Sequence, residues 1–236
     1  MRRLPEGRTE GLIVASQTES IGTCFLCGGS FSKRQMTKHV SKCAFPDAKS
    51  VAAVVHIRVD VPRSPFWLDL DVKTNATMQQ LDDFLRSIWL ECCGHLSAFT
   101  IGQTRYVTLL SDGFWGPEPD ERSMTARISA ALPSVGGTFA YEYDYGSTTM
   151  LRLKAVAQHF APSRRDAVRL LARNEAPVWT CNECDETATE LCAHCQYESD
   201  AFFCETHIAG HDCGEEAMLP VVNSPRMGVC GYTGGD

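Results

Sequence analysis

From Val51 the chain turns β-branched and then alternates, and the run Val51 to Asp60 predicts a strand. Pro62-Arg63-Ser64-Pro65 marks a turn, after which Phe66 to Val72 alternates again as a hairpin partner. Thr77 is placed to cap a helix, because Met78, Leu81, Phe84, Leu85, Ile88 and Trp89 recur three and four residues apart, with Asp82 and Asp83 in the first turn. Cys92-Cys93-Gly94 ends it. His95 to Ile101 and Tyr106 to Leu110 read as strands, Asp112 to Glu121 as a loop, and Ser123 to Leu132 as a short helix stopped by Pro133. Thr138 to Tyr145 and Met150 to His159 make a second hairpin about Gly146-Ser147-Thr148. Ser163 to Arg173 reads as a helix with Ser163 and Asp166 as its capping pair, which lines up Arg165, Arg169 and Arg173 at i, i+4 and i+8. Asp69, Asp71, Glu142 and Asp144 fall on alternating positions and read as a solvated sheet face.

Outside this periodic stretch the pattern is set by cysteine. Cys181-x2-Cys184, Cys192-x2-Cys195, Cys204-x2-His207 and His211-x-Cys213 are four close pairs of soft ligands. Two intervening residues let both side chains of a turn converge on one tetrahedral ion, so eight ligands imply two zinc sites. The first and third pairs can share one ion and the second and fourth the other, a cross-brace whose ligand order resembles B-box and RING-like modules; sequential pairing is the alternative. Nearer the start, Cys24-x2-Cys27-x11-His39-x3-Cys43 fits a small ββα finger with Cys as its last ligand, Phe31 and Met36 as its core and Gly28-Gly29 as its turn. About three zinc ions per chain are expected.

The expected architecture is α+β, a mixed sheet of two hairpins packed on helices and flanked by small zinc-binding modules. Its divisions are a flexible lead-in over 1–22, the finger over 23–47, the core over 51–176, the double-zinc module over 178–216 and a docking tail over 217–236. With 44% hydrophobic and 22% charged residues the chain reads as a soluble globular protein. No run approaches the ~18 apolar residues of a membrane span, and Met1 to Gly7 is followed by no apolar segment of a secretory signal. A reducing cytoplasm is therefore expected, with thiols free for metal. Charge is polarised: eight bases against four acids over 1–50, but one base against eleven acids over 181–236.

The opening hairpin, the run Glu91-Cys92-Cys93-Gly94-His95-Leu96-Ser97-Ala98-Phe99, and Tyr141-Glu142-Tyr143-Asp144-Tyr145-Gly146 together resemble the plasmid pRiA-type ORF-three-like family, also labelled TnpR-like passengers of insertion elements. The resemblance spans roughly 51–160 and implies the family's fold. The tail from Leu219 to Tyr232 also looks like the ending of zinc-bearing members. Where members often continue with Asp, Trp and His after the Tyr-Asp-aromatic-Gly stretch, this chain has Ser147, Thr148, Thr149 and Met150. No serine-recombinase signature accompanies the TnpR label.

Closed four-ligand shells fold a segment without reacting, so the expected function is that of a non-catalytic zinc-binding adaptor with a protein partner. The alternative is a nucleic-acid-binding regulator, associated with mobile elements or defence, in which Lys33, Arg34, Lys38 and Lys42 of the finger and Arg165, Arg169 and Arg173 meet phosphates. An enzyme is the weakest reading: His95 with Cys92 and Cys93 is the nearest approach to a Cys–His pair, at a helix C-terminus that disfavours thiolate. Asn223, Arg226, Cys230 and Tyr232 suit a tail docked on the body, with Cys230 an inert thiol, a substitute ligand or a reactive one.

Overall fold

The computed structural model describes residues 20–43, 50–108, 118–132, 134–197 and 200–235. The lead-in up to residue 19, the linker at 44–49 and most of the loop read over Asp112 to Glu121 lie outside them.

The fold is α+β, built on a ten-stranded sheet of order β2-β1-β10-β4-β3-β9-β8-β5-β6-β7. In chain order its strands are β1 (Ile21–Cys24), β2 (Ser30–Ser32), β3 (Val51–Asp60), β4 (Trp67–Lys73), β5 (Ser97–Ile101), β6 (Thr104–Val107), β7 (Glu121–Ser123), β8 (Thr138–Tyr143), β9 (Thr149–Pro162) and β10 (Val168–Asn174). All neighbours run antiparallel except β6 and β7, so the sheet is mixed. The two expected hairpins, β3–β4 and β8–β9, are joined at its centre by β3 pairing with β9.

The helices are short. α1 (Lys33–Val40) belongs to the finger, and α2 (Met78–Leu85) starts at Thr77, whose Oγ1 accepts from the Gln80 amide at 3.2 Å while its own amide donates to Gln80 Oε1 at 3.0 Å. This reciprocal cap satisfies two amides that the helix leaves open. A π-helical turn, Arg86–Leu90, continues α2 and stops before Cys92. α3 covers only Ile128–Ala131, shorter than the helix expected from Ser123, because Glu121–Ser123 pairs with β6 as a strand.

Alternation along β3 sorts its side chains onto two faces. Val55, Ile57 and Val59 meet Leu68, Leu70, Val72, Leu81, Leu85, Trp89, Phe99 and Tyr141 in the main core. His56, Arg58, Asp69 and Asp71 lie on the other side, and all four are buried. Asp69 is held by His56 Nε2 at 2.7 Å and by Arg58 from Nε at 3.1 Å and a terminal nitrogen at 2.7 Å. The solvated face expected for Asp69 and Asp71 is thus corrected: α1 covers Asp69, with Arg58 donating to Thr37 Oγ1 and to the Lys33 carbonyl, while Asp71 lies beside His159 at 3.4 Å and accepts at its backbone carbonyl from Arg164. The finger is joined to the sheet, since β1 pairs with β10 and Met36 packs with Trp67 and Leu171.

The expected helix from Ser163 to Arg173 does not form. Val168–Asn174 is β10, with a bulge between Leu170 and Ala172 that puts Leu171 against the finger. Pairing on both sides, with β4 and β1, outweighs the local cap signal. The arginine stripe disappears with the helix: Arg165 is exposed in the preceding loop, and Arg173, half-buried, donates to the Asn223 carbonyl at 2.6 Å.

The second sheet, of order β12-β11-β13, holds the cysteine-rich module with β11 (Glu190–Cys192), β12 (Phe202–Phe203), α4 (Glu205–Ile208) and β13 (Met218–Pro220). Trp179 stacks on Phe202 at 4.5 Å and 5°, and both join the main core through Leu191 and Met227. No helix among the described residues is long and apolar enough to cross a membrane.

Candidate metal centres

Four groups of Cys and His bring their ligand atoms within 4.8 Å of one another and could hold metal ions. Three are made wholly of the ligands read from spacing. In the finger, the end of β1 supplies Cys24 and the turn after it Cys27, the second and last full turn of α1 supplies His39, and Cys43 follows the helix. Phe31 stacks on the His39 ring at 3.9 Å and fixes its plane.

In the module the side chains interleave: Cys181, Cys184, Cys204 and His207 form one group, and Cys192, Cys195, His211 and Cys213 the other. This is the cross-brace arrangement, and sequential pairing is excluded by it. Cys204 precedes α4 and His207 lies on it, so one turn of helix carries both members of the third pair.

The spacing of donor atoms tests the fit to metal. A tetrahedral ion with bonds of about 2.3 Å to sulfur and 2.0–2.1 Å to nitrogen has edges of about 3.8 Å between sulfurs and about 3.5 Å between sulfur and nitrogen. The Cys184 and Cys204 sulfurs are 3.8 Å apart, and His207 Nδ1 lies 3.6, 3.5 and 3.3 Å from those of Cys181, Cys184 and Cys204. Cys195 stands 3.7 Å from Cys213 and 3.5 Å from His211 Nε2. Cys27 to His39 Nε2 is 3.3 Å. A disulfide needs about 2.05 Å, and none is present among the described residues.

Electrostatics point the same way. Burial works to raise the Cys181 thiol, but the amides of Cys204, Glu183 and Cys184 outweigh it and bring it down to about 6. Cys192 is likewise lowered to about 7, against burial, by the amides of Cys195 and His194. Burial and the neighbouring sulfurs of Cys192 and Cys213 push Cys195 up to about 12. Each module group thus holds at least one thiol lowered towards ionisation, and a shared cation offsets the repulsion that opposes further thiolates.

The fourth group, Cys92, Cys93, His95 and Cys230, was missed by spacing. A Cys-Cys-x-His run and a lone terminal cysteine are visible in the sequence, but 137 residues separate Cys93 from Cys230. Hydrogen bonding to Cys230 and Cys92, followed by burial, pushes the Cys93 thiol up to about 12. Burial works to raise Cys92, yet contacts with Arg226, Cys93 and Tyr143 lower it. Asn223, Arg226 and Tyr232 are all engaged by the docked tail: Arg226 and Tyr232 are buried, and the Asn223 amide donates to the Asn174 carbonyl at 3.0 Å.

Of the cations expected to meet phosphate, Arg34, Lys38 and Lys42 are exposed on or just after α1. Lys33 is half-buried 3.9 Å from Asp60, and burial lowers its pKa. Arg169 is half-buried on β10 and reaches the Pro162 carbonyl at 3.4 Å. The structure does not bring the seven into one stripe.

A cleft of about 470 Å³ opens where the β3–β4 turn, the turn before β9, the module and the tail meet, lined among others by Pro62, Thr149, Trp179, Tyr197 and Val229. Tyr197 is 66% exposed at this seam.

The family model of the plasmid pRiA4b ORF-3-like protein matches residues 51–194, extending past β9 into the cysteine-rich module. No curated protein matches the chain. Among solved structures, the crystal structure of a protein of unknown function, MM3350 from Methanosarcina mazei Go1, is 15% identical and covers 52% of this chain and 70% of its own, with a TM-score of 0.40.

Proposed function

Since the chain belongs to the plasmid pRiA4b ORF-3-like protein family and carries cysteine clusters before the matched region and across its end, we propose that it is a non-catalytic, zinc-stabilised adaptor for a protein partner. Zinc is the ion that sulfur-rich tetrahedral sites with one imidazole suit. Three ions fill the finger and the two module sites. The observation that carries this reading is the interleaving of the two module groups, each a complete set of four protein donors. A filled shell leaves no position for a reactant, so the metal gives shape.

The surface so shaped is acidic. Ten Asp or Glu and no Lys or Arg lie between Cys181 and Glu216, which favours a basic protein face and disfavours a nucleic-acid backbone. Tyr197, exposed beside the cleft, supplies the large amphipathic side chain that interface centres prefer. The thiols imply a reducing compartment such as the cytoplasm.

A photo-crosslinking residue at Tyr197 tests this in cells. The captured protein, purified, is expected to bind wild type and to be lost on joint reversal of Glu183, Glu186 and Glu205 to Lys at unchanged zinc content. Binding that ignores the reversal, or conversion of a captured small molecule, overturns the reading. The exposed cations Arg34, Lys38 and Lys42 support a second reading as a nucleic-acid-binding regulator. Salt-dependent retention on DNA or RNA that Lys38→Glu abolishes would replace the first reading with it.

A further inference from the structure

We infer that Cys92, Cys93, His95 and Cys230 hold a fourth zinc ion, and that this ion clasps the C-terminal segment to the core. The donors come from two distant parts of the chain: three from the loop after the π-helical turn and one from the tail. The two sulfur–sulfur spacings and one sulfur–nitrogen spacing lie close to the tetrahedral edges given above, and the His95–Cys93 contact is shorter. Cys93 lies 3.6 Å from both Cys92 and Cys230, and His95 Nε2 lies 3.3 Å from Cys230 and 2.9 Å from Cys93. Neither sulfur pair is at the ~2.05 Å of a disulfide.

The surroundings are those a metal-bound imidazole requires. With Nε2 towards the sulfurs, His95 turns Nδ1 towards Asp144 Oδ1 at 3.6 Å, within ion-pair distance and just beyond a hydrogen bond, on the side where an outer carboxylate orients a ligating histidine. Asp144 is held from behind by Arg226 at 2.6 Å and by the Gly146 amide at 2.9 Å. A terminal nitrogen of Arg226, which is fully buried, also stands 3.6 Å from the Cys92 sulfur. Three thiolates and one divalent ion leave a net negative charge, which this guanidinium, shared with Asp144, offsets in part.

The tail backbone is bent to deliver its ligand. Cys230 itself has φ 53°, between Gly228 at 81° and Gly231 at 67°. A non-glycine residue in the left-handed region is held there by its surroundings and marks a constrained site. Gly228 is required for another reason: a Cβ there would stand 2.4 Å from Leu191 Cδ2 of the module. The segment so fixed, Ser224 to Val229, is one wall of the cleft beside the module, so the ion sets the shape of that wall. Both Cys93 and Cys230 are exposed, which leaves this site open to chelators where the buried Cys24, Cys181, Cys192 and Cys204 make the others slower.

Zinc analysis of the purified full-length chain tests the site. Wild type is expected to carry four zinc per chain and Cys230→Ala three, with His95→Ala as a second variant giving the same loss. In wild type, Cys93 and Cys230 are expected to resist N-ethylmaleimide despite their exposure until zinc is stripped. Tryptic cleavage after the buried Arg226 is expected to be about tenfold faster in Cys230→Ala, because the opened tail is the form cut. Three zinc in wild type and in both variants, or immediate alkylation of Cys93 and Cys230, overturns the site. Four zinc with unchanged cleavage overturns the clasp. The joint reversal of Glu183, Glu186 and Glu205 to Lys touches none of these four ligands and is expected to leave four zinc and a protected Cys93 and Cys230, so failure of the adaptor reading and failure of this inference are told apart.

Discussion

Arg226 of the tail and Asp144 at the end of β8 meet at 2.6 Å, 82 residues apart in sequence and both buried. Arg226 also donates to the Ser147 carbonyl at 2.6 Å and to Thr149 Oγ1 at 3.1 Å, so one guanidinium ties the tail to the turn before β9. Removing one member of such a pair leaves an uncompensated buried charge, which costs about 3–5 kcal/mol. Arg226→Met is therefore expected to lose that much in urea denaturation, and the double variant Arg226→Met, Asp144→Leu less than the sum of the singles. Additive losses would show that the two residues do not act as a pair.

Asp69 does the same on the far side of the sheet, where it satisfies His56 and Arg58 beneath α1. Asp69→Ala orphans the guanidinium and is expected to destabilise by about 3–5 kcal/mol. It also loosens the finger, because Arg58 reaches Thr37 and the Lys33 carbonyl. Hydrogen exchange over 33–40 should rise in this variant; unchanged exchange there would mean the finger docks without the polar layer.

Gly22 sits where β1 crosses β10. A Cβ at this position would lie 2.3 Å from the Arg173 carbonyl oxygen and 2.5 Å from the Trp67 ring. Neither backbone nor a fully buried indole can yield cheaply, so Gly22→Ala is expected to lower the thermal midpoint at a cost of about 1–3 kcal/mol. A midpoint equal to wild type would show that the β1–β10 pairing is not rigid.

Stripping zinc with a strong chelator is expected to unfold the module while the sheet from β10 to β7 persists. Structural zinc contributes about 10–16 kcal/mol of folding free energy in small domains, and the module has few large apolar residues to replace it. Trp179, 7% exposed and stacked on Phe202, should show red-shifted fluorescence on chelation. Far-ultraviolet circular dichroism should keep most of its strand signal. Unchanged fluorescence at zero zinc would show the module folding without metal.

The finger and module Cys and His groups were legible because each is assembled from pairs with only one to three residues between their members, and a turn brings such pairs together whatever the rest of the chain does. The β3–β4 and β8–β9 hairpins were legible from alternation and from turn residues between them. The stretch from Val168 to Asn174 was misread because its local signal, a capping pair and spaced arginines, competes with edge-to-edge hydrogen bonding that only the neighbours β4 and β1 supply. Asp69 and Asp71 were misread for a related reason. Alternation shows that two carboxylates share a face, but what covers that face is decided by distant segments, α1 over Asp69 and His159 with Arg164 beside Asp71.

The sequence by itself determined the hairpins and three of the Cys and His groups that could hold metal, since turns and short spacings act over a few residues. Tertiary structure decided the strand at Val168–Asn174, the burial of the Asp69 layer under α1 and the meeting of Cys230 with Cys92, Cys93 and His95. Each of these depends on surfaces brought together from distant parts of the chain, and no local pattern encodes the free energy gained when they close.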